Sequence, residues 1–291
     1  MAVEIARLGE HRDDLGEGPL WDVAEQALYW VDSLACVLHR LDPASGARRD
    51  WLVPGMVGSL ALRQAGGAVL ALQSGFHLFD FATGIATPLM DPEAGDQRTR
   101  LNDGKVDRQG RFLCGSMGRT IRNPPLGTLY RLDPDHRVSV LHEDIGVSNG
   151  PCFSPDGRTF YFADSAARTI HAWDYHSDSG TIANRRLFAD LGTLDTAPDG
   201  CTVDADGRLW SALVRSGQIG CFAPDGRLER RIDMPCSRPS SVMFGGPDLD
   251  VLYVTSISRS ENSRSEGPHD GGLFMVTGLN ATGLPEPRFA G

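Results

Sequence analysis

Apolar residues along the chain fall in short runs broken by Asp-Gly, Ser-Gly and Pro-Asp-Gly turns, and the runs return in a fixed order. Asn149-Gly-Pro-Cys-Phe-Ser-Pro-Asp-Gly157 lies over Asp199-Gly-Cys-Thr-Val-Asp-Ala-Asp-Gly207 and over Asn102-Asp-Gly-Lys-Val-Asp-Arg-Gln-Gly110. In each, a polar residue leads, a turn glycine follows eight positions later, and Arg158, Arg208 or Arg111 comes next. The same offset separates Gly58 from Gly66, and LGEGPLWDVAEQALYW and PSSVMFGGPDLDVLYV are looser copies, which makes six units.

The units share more than their first run. Trp30-Val-Asp32 and Phe162-Ala-Asp164 end second runs, and each is followed ten residues later by an Asp that ends a third, Asp42 or Asp174. Further third runs are FHLFD, TLYRLD and GLFMV, and the fourth runs are RRDWLV, ATPLM, RVSVLH, NRRLFA and LERRIDM. Short runs rich in β-branched and aromatic residues between Asp-Gly turns read as four antiparallel strands per unit. Six such units of about 40 to 50 residues predict an all-β fold, a six-bladed β-propeller with a central channel. A two-sheet sandwich is the competing arrangement. A helix over Leu20 to Asp42 is disfavoured because the copy at 158–179 is strand-like, so little helix is expected. The ring accounts for residues 1–291 as a single domain. The sixth unit has little room for an outer strand, so Val3 to Leu8 is expected to supply it and close the ring.

Composition sharpens this picture in three places. Glycine is in excess, 34 of 291 residues, as many hairpins require. The net charge of −10 argues against a surface for nucleic acid or an anionic membrane, leaving small-molecule chemistry or a specific partner as the expectation. The longest uncharged run, Gln64 to Phe79, is 16 residues, short of the roughly 20 apolar residues a bilayer span needs. The N-terminus lacks a basic start followed by an apolar stretch, and six cysteines without a CxxC pair are expected to be reduced thiols in strands. A cytoplasmic location is the simplest expectation.

In a propeller the first strand of each blade lines the channel, so the leading positions form a ring: Glu17, Gly58, Asn102, Asn149, Asp199 and Ser240. One Asp or Asn before a turn is ordinary turn chemistry. Four carboxylate or amide oxygens on one ring are not, because Glu17 and Asp199 would repel one another without a cation between them. An all-oxygen set suits Ca²⁺, Mg²⁺ or Mn²⁺.

The segments Leu15-Gly-Glu-Gly-Pro-Leu-Trp21, Arg100-Leu-Asn-Asp-Gly-Lys-Val-Asp107, Ser148-Asn-Gly-Pro151 and Pro198-Asp-Gly200 resemble those of the senescence marker protein 30 family, which takes in regucalcin and gluconolactonases. The likeness extends to Phe244-Gly-Gly246 and Gly271-Gly-Leu-Phe274. It implies a six-bladed propeller with one divalent metal on Glu17, Asn149 and Asp199, substrate contacts from Arg100 and Asn102, and hydrolysis of an aldonolactone to its sugar acid. Ligand softness favours Ca²⁺, while the resemblance also spans Zn²⁺. Asp199 is the expected general base, since a ligating carboxylate keeps a second oxygen for a proton. In animal members an acidic residue in the loop after the third blade's second strand contacts sugar hydroxyls. Here Met117 to Gly127 reads MGRTIRNPPLG, with Arg119, Arg122 and Asn123 but no carboxylate.

Two other readings stay open at this point, a calcium-dependent phosphotriesterase-like hydrolase and a non-catalytic calcium-binding propeller. Several apparent motifs carry neither. Gly146-Val-Ser-Asn-Gly150 fits GxSxG, but Pro151 and a turn follow where a nucleophile elbow needs a helix. Asp204-Ala-Asp206-Gly207 resembles the start of an EF-hand loop, yet its twelfth position is Arg215. His171 and His176 lie five apart in a strand and point to opposite faces. Asp156 and Asp225 share the Pro-Asp-Gly string with Asp199, but Asp156 falls at the eight-residue hairpin offset and Asp225 after a third strand.

Overall fold

The computed structural model describes residues 2–120, 125–260, 263–265 and 267–291. Its turns follow from their residues. Gly157 takes φ +70, which a Cβ would strain, and its N–H donates to the Ser154 carbonyl at 2.8 Å. Gly110 and Gly207 donate in the same way to Asp107 and Asp204 at 3.0 Å. Each of these turns folds a first strand back against a second.

The result is six four-stranded antiparallel sheets, the blades of the expected propeller. Their inner strands are Gly16–Asp22, Val57–Leu62, Thr99–Val106, Ser148–Phe153, Pro198–Val203 and Pro239–Gly245, and inner strands of neighbouring blades pack against each other. Second strands such as Ala27–Asp32 and Ala68–Leu72 are buried along their whole length, whereas fourth strands such as Ile85–Met90 face water. That gradient explains why the second runs read as nearly continuous apolar stretches. Glu4–Arg7 pairs antiparallel with Phe274–Thr277 and lies outermost in the sixth blade. The helical content among the described residues is one 3₁₀ turn, Gly192–Leu194. No helix there is long and apolar enough to cross a membrane.

The core lies between blades. Six apolar clusters form, each spanning one pair of adjacent blades. Between the fifth and sixth blades, for example, Trp210 and Phe244 are fully buried and meet edge to face at 5.6 Å. All six cysteines are free thiols. Four lie in strands as expected, but Cys36 sits in a tight turn at φ 58 and Cys236 in a bend.

Two features that position the channel site were not visible in the repeat. First, pairing slips in all six inner strands, between Glu17 and Leu20, Val57 and Ser59, Leu101 and Gly104, Asn149 and Cys152, Pro198 and Cys201, and Pro239 and Ser241. Every ring position therefore sits in or beside a β-bulge, a device that re-aims side chains. Second, the chain after Thr277 runs across the hairpin end of the ring. Thr282 accepts from Ala205 N–H at 2.8 Å, Phe289 N–H donates to Leu62 at 2.8 Å, and Ala290 N–H donates to Gly110 at 3.0 Å. Glu286 reaches Lys105 inside the channel at 3.3 Å. The tail thus covers one end of the channel, and the ring positions lie toward the other.

Candidate metal and substrate site

Glu17, Asn149 and Asp199 come from the first, fourth and fifth blades, and each is followed by a glycine. The reason is visible at Gly150. Its φ is +56, and a Cβ there would lie 2.8 Å from the Asp199 carbonyl oxygen and 2.5 Å from Cys201 Sγ. Only glycine lets the fourth and fifth inner strands approach this closely.

Hydrogen bonds orient the amides. The Asn102 Nδ2 donates to Asn149 Oδ1 at 2.9 Å and to the Ser148 carbonyl at 2.7 Å. Asn149 Nδ2 donates to Ser165 Oγ at 2.9 Å, and that hydroxyl donates to the Pro198 carbonyl at 2.6 Å. Asn149 therefore keeps its oxygen on the side of Asn102. Arg100 Nη1 donates to Asn102 Oδ1 and, at 3.1 Å, to the Leu101 carbonyl. Arg100, Asn102 and Asn149 thus form one chain of contacts across the third and fourth blades. Arg100 is buried, with Met117 as its cross-strand partner. Met117 and Gly118, expected in a loop, extend the second strand of that blade. Arg119 is exposed, and Arg122 and Asn123 lie outside the described residues.

The acids reveal the electrostatic problem. Burial pushes the Glu17 carboxyl well above its ordinary value, and the Asp199 and Asp103 charges push it further. Asp199 is raised by burial and then by Asp103. Asp199 Oδ1 is buried and accepts no hydrogen bond. A buried carboxylate oxygen without a donor is costly unless a cation faces it. These residues, all offering oxygen, fit a hard divalent cation.

Two ring positions do not contribute. A Cβ on Gly58 would lie 2.4 Å from the Asn102 carbonyl oxygen, so the second blade has no room for a side chain there. Ser240 is fully buried and satisfied by the Gly16 carbonyl and Thr255 Oγ1. One acid was missed. Asp103 Oδ2 accepts from Gly150 N–H and Oδ1 from Gly104 N–H, both at 2.8 Å, and burial raises its pKa to about 6 against the opposing pull of Lys105 and these two N–H groups. Strict alternation would send Asn102 and Asp103 to opposite faces. The bulge between Leu101 and Gly104 lets both reach the fourth blade. Two of the discounted motifs have structural roles: Asp204 caps its hairpin and takes Trp210 Nε1 at 2.9 Å, and Ser148 opens a strand rather than a helix.

Comparison with known proteins places the chain in a family. The sequence model of the SMP-30/gluconolactonase/LRE-like region matches residues 15–258. A 6-deoxy-6-sulfogluconolactonase of Pseudomonas putida is 38% identical over 280 residues, covering 95% of each chain. The pentonolactonase XacC of Haloferax volcanii is 35% identical over 290 residues, 98% of this chain and 97% of that one. Among solved structures, a calcium-binding regucalcin of Agrobacterium tumefaciens superposes with a TM-score of 0.91 at 30% identity, covering 97% and 96% of the two chains. The match spans every blade that contributes to the ring, and the chain belongs to the SMP-30/gluconolactonase/LRE-like family.

Proposed function

We propose that the protein is a hydrolase that opens a sugar aldonolactone to its sugar acid, with one divalent ion, Ca²⁺ by donor chemistry, held by Glu17, Asn149 and Asp199. The observation that carries the ligand set is the buried, unpartnered Asp199 Oδ1 among acids that burial and mutual repulsion hold above their ordinary range. When bound, the ion supplies Lewis acidity at the lactone carbonyl. The chain's own residues do the rest. Asn149 presents its amide oxygen because Ser165 holds its nitrogen. Arg100, braced by Asn102 and the Leu101 carbonyl, offers N–H donors to substrate oxygens. Asn102 bridges Arg100 and Asn149, so substrate and ligand are positioned through one side chain. Asp199 receives the proton of the attacking water.

The lactonases among the relatives favour neither a phosphotriesterase nor a non-catalytic reading. A reducing, cytoplasmic setting accords with six free thiols. The test is acid release from a panel of five- and six-membered aldonolactones, measured against buffer because such lactones also open spontaneously. Chelator should abolish turnover and Ca²⁺ should restore it. Turnover unchanged in Asp199→Ala, or seen only with a phosphotriester, would sink the proposal.

A further inference from the structure

A second polar cluster lies away from the channel, at the seam where the ring closes. His11 and Asp13 stand on the segment between Glu4–Arg7, in the sixth blade, and Gly16–Asp22, in the first; His39 is on Val37–Leu41 in the first. Their donor atoms all lie within 4.8 Å of one another. Asp13 and His39 are 1% and 2% exposed, while the His11 side chain remains 30% exposed.

The contacts leave donor atoms turned toward a common point. Trp30 Nε1 donates to Asp13 Oδ2 at 2.9 Å, so Oδ1 is left facing the two imidazoles. His11 Nε2 contacts Oδ1, and His39 Nε2 lies 3.2 Å from it. Nearly buried, His39 Nε2 makes no hydrogen bond. Behind it, His39 Nδ1 lies 2.8 Å from Asp50 Oδ1. That is how a carboxylate fixes a metal-ligating imidazole, holding one nitrogen and turning the other inward. Donors about 2.0 to 2.1 Å from a tetrahedral ion lie roughly 3.3 Å apart, so the His39–Asp13 separation needs little change.

We propose that His11, Asp13 and His39 form a second metal site, for Zn²⁺ or a similar imidazole-binding ion, which clasps the N-terminal segment to the first blade. Two nitrogens and one carboxylate select such an ion, in contrast to the all-oxygen set in the channel. Arg48 is its internal competitor. The guanidinium Nη2 lies 3.1 Å from His11 Nε2 and 2.9 Å from His39 Nδ1, and Nε donates to Asp50 at 2.8 Å. A guanidinium has no lone pair to ligate with, so when the ion enters Arg48 withdraws from His11 Nε2 and from His39 Nδ1, which keeps its proton to donate to Asp50.

The test uses the full chain carrying Asp199→Asn, which disables the channel set, stripped with chelator and titrated with Zn²⁺. One Zn²⁺ per chain is expected, with Co²⁺ quenching Trp30, whose ring centroid is 4.8 Å from that of His39. Asp50→Asn should weaken binding about 10- to 100-fold, His11→Ala should weaken it further, and Arg48→Met should tighten it. In the otherwise native chain, His11→Ala should leave lactone turnover in Ca²⁺ unchanged. Because His11 is partly exposed, its variant avoids the folding risk of changing His39. Zinc stoichiometry and affinity unaltered by both His11→Ala and Asp50→Asn, or no zinc bound at all, would overturn the site.

Discussion

Glu17, Asn149 and Asp199 converge because each occupies the same place in its own blade, whereas His11, Asp13 and His39 meet because the N-terminal segment crosses from the last blade to the first. The two clusters also differ in charge balance. In the channel, acids face acids, and burial and mutual repulsion raise Glu17 and Asp199. At the seam, burial alone would raise Asp13, but the His11 and His39 imidazoles beside it bring it below its ordinary value. The channel set therefore holds its acids against one another without a cation, whereas the seam gives its carboxylate Trp30 and imidazole partners while leaving His39 Nε2 without a hydrogen bond. A repeat can bring like groups together by symmetry and leave their repulsion for an ion to relieve. A crossing segment can instead bring a carboxylate to its own imidazoles.

The sharpest way to break this contrast is to exchange the two aspartates' roles by mutation. Asp199→Asn should lower lactone kcat/KM by about 10³-fold while leaving the melting temperature of metal-free protein unchanged or raised. Asp13→Ala should do the opposite. It strands Trp30 Nε1 and two imidazoles, costing roughly 2 to 4 kcal/mol of stability by chemical denaturation, with turnover retained at temperatures where the variant stays folded. Equal loss of turnover in both folded variants would erase the distinction.

Arg100→Met tests the substrate side of the ring and should lower kcat/KM by roughly 10- to 100-fold, with Ca²⁺ affinity nearly unchanged. A large fall in Ca²⁺ affinity instead would mean that the Arg100–Asn102–Asn149 chain serves the metal alone. The smallest effect concerns Asp103 in metal-free protein. Its carboxyl titrates at about 6, above an unfolded value near ~3.9, so the folded chain binds more protons between those values. Its contribution to stability is fully present below the unfolded value and is lost as pH rises through about 6. Relative to Asp103→Asn, the metal-free wild type should therefore gain stability when pH falls from about 7 to about 5, as read by parallel melts.

The legible part of the site was what recurs. Hairpin glycines such as Gly157 and Gly207 set the register, and register alone brought Glu17, Asn102, Asn149 and Asp199 to one ring. Asp103 was hidden because alternation assigns neighbouring residues to opposite faces, and only the bulge at 101–104 brings it beside Gly150. The same register overcounted at Gly58, where the Asn102 backbone leaves no room, and at Ser240, which is spent on Gly16.

By itself the sequence determined the blade count, the strand order within each blade and the ring positions, because hydrophobic runs and turn residues act locally and repeat. Tertiary structure decided the rest: six bulges that re-aim the ring, a tail whose Glu286 enters the channel to meet Lys105, and a seam that joins His11 and Asp13 to His39. Those contacts link positions with no common register, so no periodicity in the chain announces them. They exist because closing a ring forces its ends and inner strands into one another's van der Waals and electrostatic reach.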